Sequence, residues 1–173
     1  MDATPGLTRL VEVLGQRGYE VLGPVVRDGA IRIGAVASAD DLPRGLRSEL
    51  GPGTARLRDA GNGAFLGHAV GPDSWKAVFH PPRERQWRAT RDDERFGVEA
   101  GAAEDPSPVA LVGVRPCDLA AIGVQDRVLR DGQLPDAGYA RRRAHTVIVA
   151  AACGMPAATC FCASMGTGPA LPE

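Results

Sequence analysis

Lysine is nearly absent from this chain: Lys76 is the only one among 20 basic residues, and every other base is arginine. In a sequence also rich in alanine and glycine, that bias is of the kind a GC-rich coding sequence imposes, so arginine abundance alone points to no partner. A charge surplus is missing too. The net charge of −1 gives neither nucleic acid nor an anionic membrane a long-range attraction. No apolar run approaches the roughly twenty residues that a spanning helix needs. The N-terminus (MDATPGLTRLVEVLG) lacks the basic region and long apolar core of a signal peptide, which reads as a cytoplasmic chain whose thiols stay reduced. Internal repeats and a dinucleotide fingerprint are absent. Gly166-Thr167-Gly168 lacks the Gly-x4-Gly-Lys-Ser/Thr pattern of a phosphate loop.

Cysteine is missing from the whole N-terminal part. All four, Cys117, Cys153, Cys160 and Cys162, fall between Pro108 and Pro169. At 173 residues and 44% hydrophobic content the chain can bury a useful core, and one domain over 1–173 is the expectation. It divides into a cysteine-free part, 1–107, and a cysteine-bearing part, 108–169.

The cysteine-bearing part has the clearest pattern. Val109–Val114 (VALVGV) is a short apolar run rich in β-branched residues, which suits a strand covered on both faces. It breaks at Arg115-Pro116-Cys117-Asp118, where Pro116 cannot continue a ladder and Asp118 is a good helix N-cap. Leu119, Ile122, Gln125, Val128 and Leu129 then mark a helix. A second helix is expected over Asp136–Arg143, with Arg141, Arg142 and Arg143 suiting the negative end of its dipole. Thr146–Ala152 (TVIVAAA) is the next strand, and it runs directly into Cys153.

Two buried strands joined by about thirty residues containing helices form a βαβ unit, so the strands are expected to be parallel. Their C-terminal ends then share one edge, the usual ligand edge of open α/β sheets. Cys117 and Cys153 emerge there, and the loop carrying Cys160-Phe161-Cys162 is short enough to fold back over it. The fold expected is α/β (or α+β): a small mixed sheet whose C-terminal βαβ unit carries the cysteines at the C-terminal edge of its strands.

Four sulfurs at one edge admit several chemistries. They could be a disulfide framework, unrelated cysteines, a structural zinc site, an iron–sulfur cluster, or a lone Cys117 nucleophile activated by a helix N-terminus. The reduced compartment disfavours disulfides, and no histidine base stands near Cys117 in sequence. No Cys-x2-Cys pair is present, yet spacing alone does not separate zinc from iron–sulfur. His68 and His80 read as hydrogen-bonded histidines rather than ligands. The loop His80–Arg88 reads as a surface path set by two prolines. A sharper reading places Lys76, Arg83 and Arg85 close to an anionic cluster.

The motifs Gly113-Val114-Arg115-Pro116-Cys117-Asp118-Leu119, Gln125-Asp126-Arg127, Thr159-Cys160-Phe161-Cys162 and Ser164-Met165-Gly166-Thr167-Gly168-Pro169 resemble those of one family. It is the N-terminal module of the iron–sulfur beta subunits of soluble NiFe hydrogenases (sulfhydrogenases), together with the related iron–sulfur subunit of anaerobic sulfite reductase. Tyr19–Pro24, Asp40–Pro43, Val70–Lys76 and Pro81–Arg85 fit the same pattern.

The resemblance implies one [4Fe–4S] cluster on Cys117, Cys153, Cys160 and Cys162, with zinc as the alternative. It also implies an electron-transfer subunit of a multi-subunit oxidoreductase, non-catalytic itself. Its partners would be a flavin- and nicotinamide-binding subunit and a hydrogenase or sulfite-reducing subunit. The family continues into a ferredoxin-like half with Cys-x2-Cys-x2-Cys runs. These 173 residues contain none, so the clusters of that half do not carry over. The contrasting reading is a non-redox module that docks subunits, with a structural four-cysteine zinc site or no metal.

Upstream, Leu7, Leu10, Val11 and Leu14 give an amphipathic helix ending near Gly15–Gly18. Tyr19–Val26 and Ala30–Val36 read as a hairpin turning at Arg27-Asp28-Gly29. Ser38–Gly63 reads as mostly loop with a short strand near Ala55–Leu57. Phe65–Val70 reads as another strand, Trp75–Phe79 as one helical turn capped by Asp73 or Ser74, and Phe96–Glu99 as a short strand.

Overall fold

A computed structural model describes residues 4–92, 95–100 and 106–171. In chain order the strands are β1 (Glu20–Arg27), β2 (Ala30–Ala35), β3 (Leu46–Gly51), β4 (Thr54–Asp59), β5 (Trp87–Arg91), β6 (Phe96–Ala100), β7 (Val109–Val114) and β8 (Thr146–Ala150). The α-helices are α1 (Thr4–Gln16), α2 (Lys76–Phe79), α3 (Pro116–Gln125) and α4 (Ala137–Ala144). A π-helical turn, Asp126–Arg130, follows α3 directly.

The central sheet runs β2-β1-β7-β8. β1, β7 and β8 are parallel and β2 is antiparallel at the edge, so the sheet is mixed. The hairpin between β1 and β2 turns through Asp28 (φ 52°) and Gly29 (φ 70°). Two successive positive φ values give the turn the twist that a two-residue hairpin needs. The expected βαβ unit is present: β7 and β8 are hydrogen-bonded parallel neighbours with α3 and α4 in the crossover.

β7 feeds two cores. Ala110 and Val112 pack with Val11 and Leu14 of α1 and with Val21, Val36 and Leu42. Leu111 and Val114 pack with Trp75, Phe79, Ile122 and Tyr139 on the opposite face. Strict alternation would put Val114 on the same side as Val112. A bulge between Val112 and Val114 reverses the phase, and Gly113 sits in it at φ 83°. A Cβ at Gly113 would stand 3.2 Å from Pro24 and 3.3 Å from Leu66, so both the conformation and the space call for glycine.

α4, expected over Asp136–Arg143, follows Asp136 as its N-cap, whose carboxylate accepts the Tyr139 N–H at 2.8 Å. Its arginines do more than suit the dipole. Arg142 donates to the Phe79 carbonyl and pairs with Glu84, while Arg143 reaches Asp126.

Several expectations need correction. Ser38–Gly63, expected as mostly loop, holds a hairpin of β3 with β4; the short strand expected near Ala55–Leu57 is part of β4, while β3 has no counterpart in the sequence reading. Phe65–Val70 is irregular, joined to Arg44 by a single bridge at Phe65. Asp73 does not cap α2; Ser74, the other expected cap, accepts the Lys76 N–H at 3.2 Å through its hydroxyl, and Trp75 makes no side-chain cap bond. Asp73 instead accepts the Ile33 N–H at 2.9 Å and pairs with Arg32, on the open side of β2. β8 ends at Ala150, two residues short of the expected limit. β6 agrees with expectation, while its partner β5 has no counterpart in the sequence pattern. Among the described residues no helix is long and apolar enough to cross a membrane.

Candidate metal centre

The site begins where β7 stops. Arg115 has extended backbone (φ −82°, ψ 158°) and is the N-cap of α3, with Pro116 at the first helical position, where a missing N–H costs nothing. Cys117 is the next residue, in the first turn of the helix. Asp118 is therefore not the N-cap that the sequence suggests. It sits at the third helical position, and its carboxylate accepts the main-chain N–H of Arg115 and the indole N–H of Trp75. Burial nevertheless pushes the Asp118 carboxyl above the usual carboxylate range, with those two bonds and the Arg115 charge opposing.

Cys153 lies three residues beyond the end of β8, and its N–H donates to the Pro169 carbonyl at 3.2 Å. That bond pins both ends of the returning loop together. Within the loop, Cys160 N–H bonds to Ala157, Met165 N–H to Phe161, and Thr167 N–H to Cys162, so Cys160 and Cys162 ride on successive tight turns. The Cys160 sulfur accepts the Ala157 N–H at 3.3 Å. Gly168 brings the loop against α3: a Cβ there would lie 3.3 Å from Pro116 Cβ and 3.6 Å from the Cys162 sulfur.

The four cysteines line one cavity of about 450 Å³. Ala69 and Val70 supply one wall, α3 another through Ala120, Ala121 and Val124, and Met155, Phe161 and Met165 close it from the loop side. The volume lies within the usual range of small-ligand sites, and the lining beside the sulfurs is mostly apolar. All four cysteines are free thiols, which sets aside the disulfide framework. None belongs to either core cluster.

Nor does Cys117 look like an activated nucleophile. Burial, the Asp118 carboxylate and Cys162 push its thiol above the ordinary value, against two main-chain hydrogen bonds that pull it down. A helix N-terminus is expected to lower it, and here burial outweighs that effect.

Four cysteines lining one cavity are a donor set that either metal left open by the sequence could use: an iron–sulfur cluster takes one thiolate per iron, and a structural zinc takes four. Among the described residues no three His, Cys, Asp or Glu side chains stand close enough together to hold an ion as they are.

Lys76, Arg83 and Arg85 are exposed, and none of them lines the cavity. His80 is exposed at the C-cap of α2. His68 is buried and absent from the cavity lining; its Nδ1 lies 2.8 Å from the Ala69 carbonyl. Arg115, only 4% exposed, does not line the cavity either, but its guanidinium donates to the Ala152 carbonyl, directly before Cys153; by its sequence it looks like no more than part of a strand break. Its position directly before Pro116-Cys117 is the available signal.

Over 92 residues the chain is 33% identical to sulfhydrogenase 2 subunit beta of Pyrococcus furiosus. The aligned stretch covers 53% of this chain and 25% of that protein, so the chain spans only a fraction of the relative's length. No family model and no solved structure matches. The similarity places part of the chain alongside one subunit of a hydrogenase.

Proposed function

We propose that this chain is an iron–sulfur electron-transfer module of a multi-subunit oxidoreductase, holding one [4Fe–4S] cluster on Cys117, Cys153, Cys160 and Cys162. The observation that carries the reading is the convergence of all four thiols on one apolar-walled cavity at the C-terminal edge of β7 and β8. The partial similarity to a hydrogenase beta subunit supports the same direction. The alternative reading is a non-redox docking module with a four-cysteine zinc site or no metal.

A cluster in this cavity would supply reversible one-electron transfer. The protein's own part is to place the thiolates and to limit water. The first turn of α3 sets Cys117, the Cys153–Pro169 bond sets Cys153, and the two turns between Ala157 and Thr167 set the remaining pair. Ala120, Ala121 and Val124 present small apolar surface, which keeps the local dielectric low and the site compact. Phe161 is 70% exposed, so the ring between the paired cysteines lies at the rim, where an electron partner would approach. The partners proposed are a flavin- and nicotinamide-binding subunit on one side and a hydrogenase or sulfite-reducing subunit on the other.

Anaerobic purification tests the assignment. Brown protein with about four irons and four labile sulfides per chain is expected, and Cys160→Ala or Cys162→Ala should remove most of both. Stoichiometric zinc without sulfide would replace this reading with the docking module.

A further inference from the structure

Arg115 is buried, yet its guanidinium meets no carboxylate. One terminal nitrogen donates to the Ala152 carbonyl at 3.0 Å; the other donates to the Leu66 carbonyl and, at 3.1 Å, to the His68 carbonyl. Among the described residues no acid lies within salt-bridge distance of it; Asp118 acts on it only from farther off. Carbonyl dipoles solvate a guanidinium but leave its full charge in place. A buried cation without an ion-pair partner is costly, and further negative charge nearby offsets that cost.

The three carbonyls belong to the two segments that bound the cysteine cavity. Ala152 immediately precedes Cys153, and Leu66 and His68 lie just before the wall residues Ala69 and Val70. Arg115 itself is two residues before Cys117. The sulfurs of Cys153 and Cys117 are near enough for their charge to act on the guanidinium. Protonated thiols offer it no counter-charge, whereas four thiolates on a cluster carry net negative charge.

We propose that Arg115 is the built-in counter-cation of the cysteine site, a positioning residue that offsets the charge of the bound cluster. The same side chain ties the Leu66–His68 segment to the exit of β8. The inference rests on the iron–sulfur reading above. It goes beyond that reading in assigning the cluster's potential to one buried charge. The exposed Lys76, Arg83 and Arg85 have no such role, because water screens them.

The test uses the full chain, purified anaerobically as wild type, Arg115→Gln and Arg115→Lys. Iron, sulfide and the midpoint potential are read by chemical assay and by an EPR-monitored redox titration. Removing the charge makes the cluster harder to reduce, so Arg115→Gln should shift the midpoint to more negative potential and lower cluster occupancy. Arg115→Lys keeps the charge but not the fork. It should restore the potential towards wild type while Leu66–Val70 remains more open to proteolysis. Arg115→Gln with a full cluster at the wild-type potential overturns the proposal. Should Arg115→Gln fail to fold, the lysine variant decides: a potential held near wild type supports the proposal, and a clear negative shift overturns it. Wild-type protein without iron or sulfide would instead remove the iron–sulfur reading itself.

Discussion

His68 is buried, with only 3% of it exposed, and its Nε2 has no hydrogen-bond partner among the described residues. Burial holds the imidazole below its ordinary pKa of 6.5, helped by the Arg115 charge and opposed by the Ala69 carbonyl. Below about pH 6.5 the unfolded chain therefore takes up a proton that the folded chain refuses, and stability falls as the pH drops towards the folded value. Above that range His68 contributes no pH dependence. Melting temperatures between pH 7 and pH 5 should fall less steeply for His68→Gln than for wild type; equal slopes would show that other groups set the acid sensitivity. Two glycines make a sharper pair. A Cβ at Gly71 would sit 1.9 Å from the Ile31 carbonyl oxygen, whereas one at Gly123 in α3 meets nothing within 4 Å. Gly71→Ala should cost about 1–3 kcal/mol in denaturant unfolding. Gly123→Ala should add about 0.5–1 kcal/mol by favouring the helix.

Elements that declare themselves by apolar pattern are readable from sequence: α1, the hairpin of β1 and β2, β7 and β8 all follow their residues' patterns. The hairpins of β3 with β4 and of β5 with β6 are readable only in part, as short strands near Ala55–Leu57 and Phe96–Glu99. β5 exposes every residue and β4 all but one, so neither strand has an apolar face to alternate with. The cysteine edge is readable because parallel strands must end on one side. Its Ala69–Val70 wall and the burial of Arg115 are not, since they depend on carbonyls up to 49 residues upstream. The π turn after α3 is equally hidden. It is tied down by Asp126, which accepts the Tyr139 hydroxyl at 2.7 Å and also meets Arg143 and Arg130. Tyr139 is fully buried, and burial with the Asp126 carboxylate holds its phenol protonated well above the usual range. Tyr139→Phe deletes that bond to a charged group and should cost about 1.5–3 kcal/mol, read as a lower denaturation midpoint at unchanged slope.

Across the whole molecule, order is unevenly distributed. The central sheet is gripped by two cores, whereas residues 151–171 contain only turns and depend on a few main-chain bonds and on their contact with α3. Stripping the proposed cluster with a chelator should therefore accelerate amide exchange over 151–171 and at the start of α3, and leave β7 and β1 protected. Uniform acceleration through β7 would mean that the metal supports the entire fold. The strand order carries one more consequence, for the chain during its synthesis. β1 finds β2 at once across a two-residue turn, but its other edge waits for β7, with Glu20 pairing to Val109. At about 5–20 residues per second, the nascent hairpin stands with one edge unpaired for on the order of ten seconds. Through that interval α1, already made and in the finished fold packed on Val21 through Val11 and Leu14, is the helix at hand to cover the hairpin's apolar face.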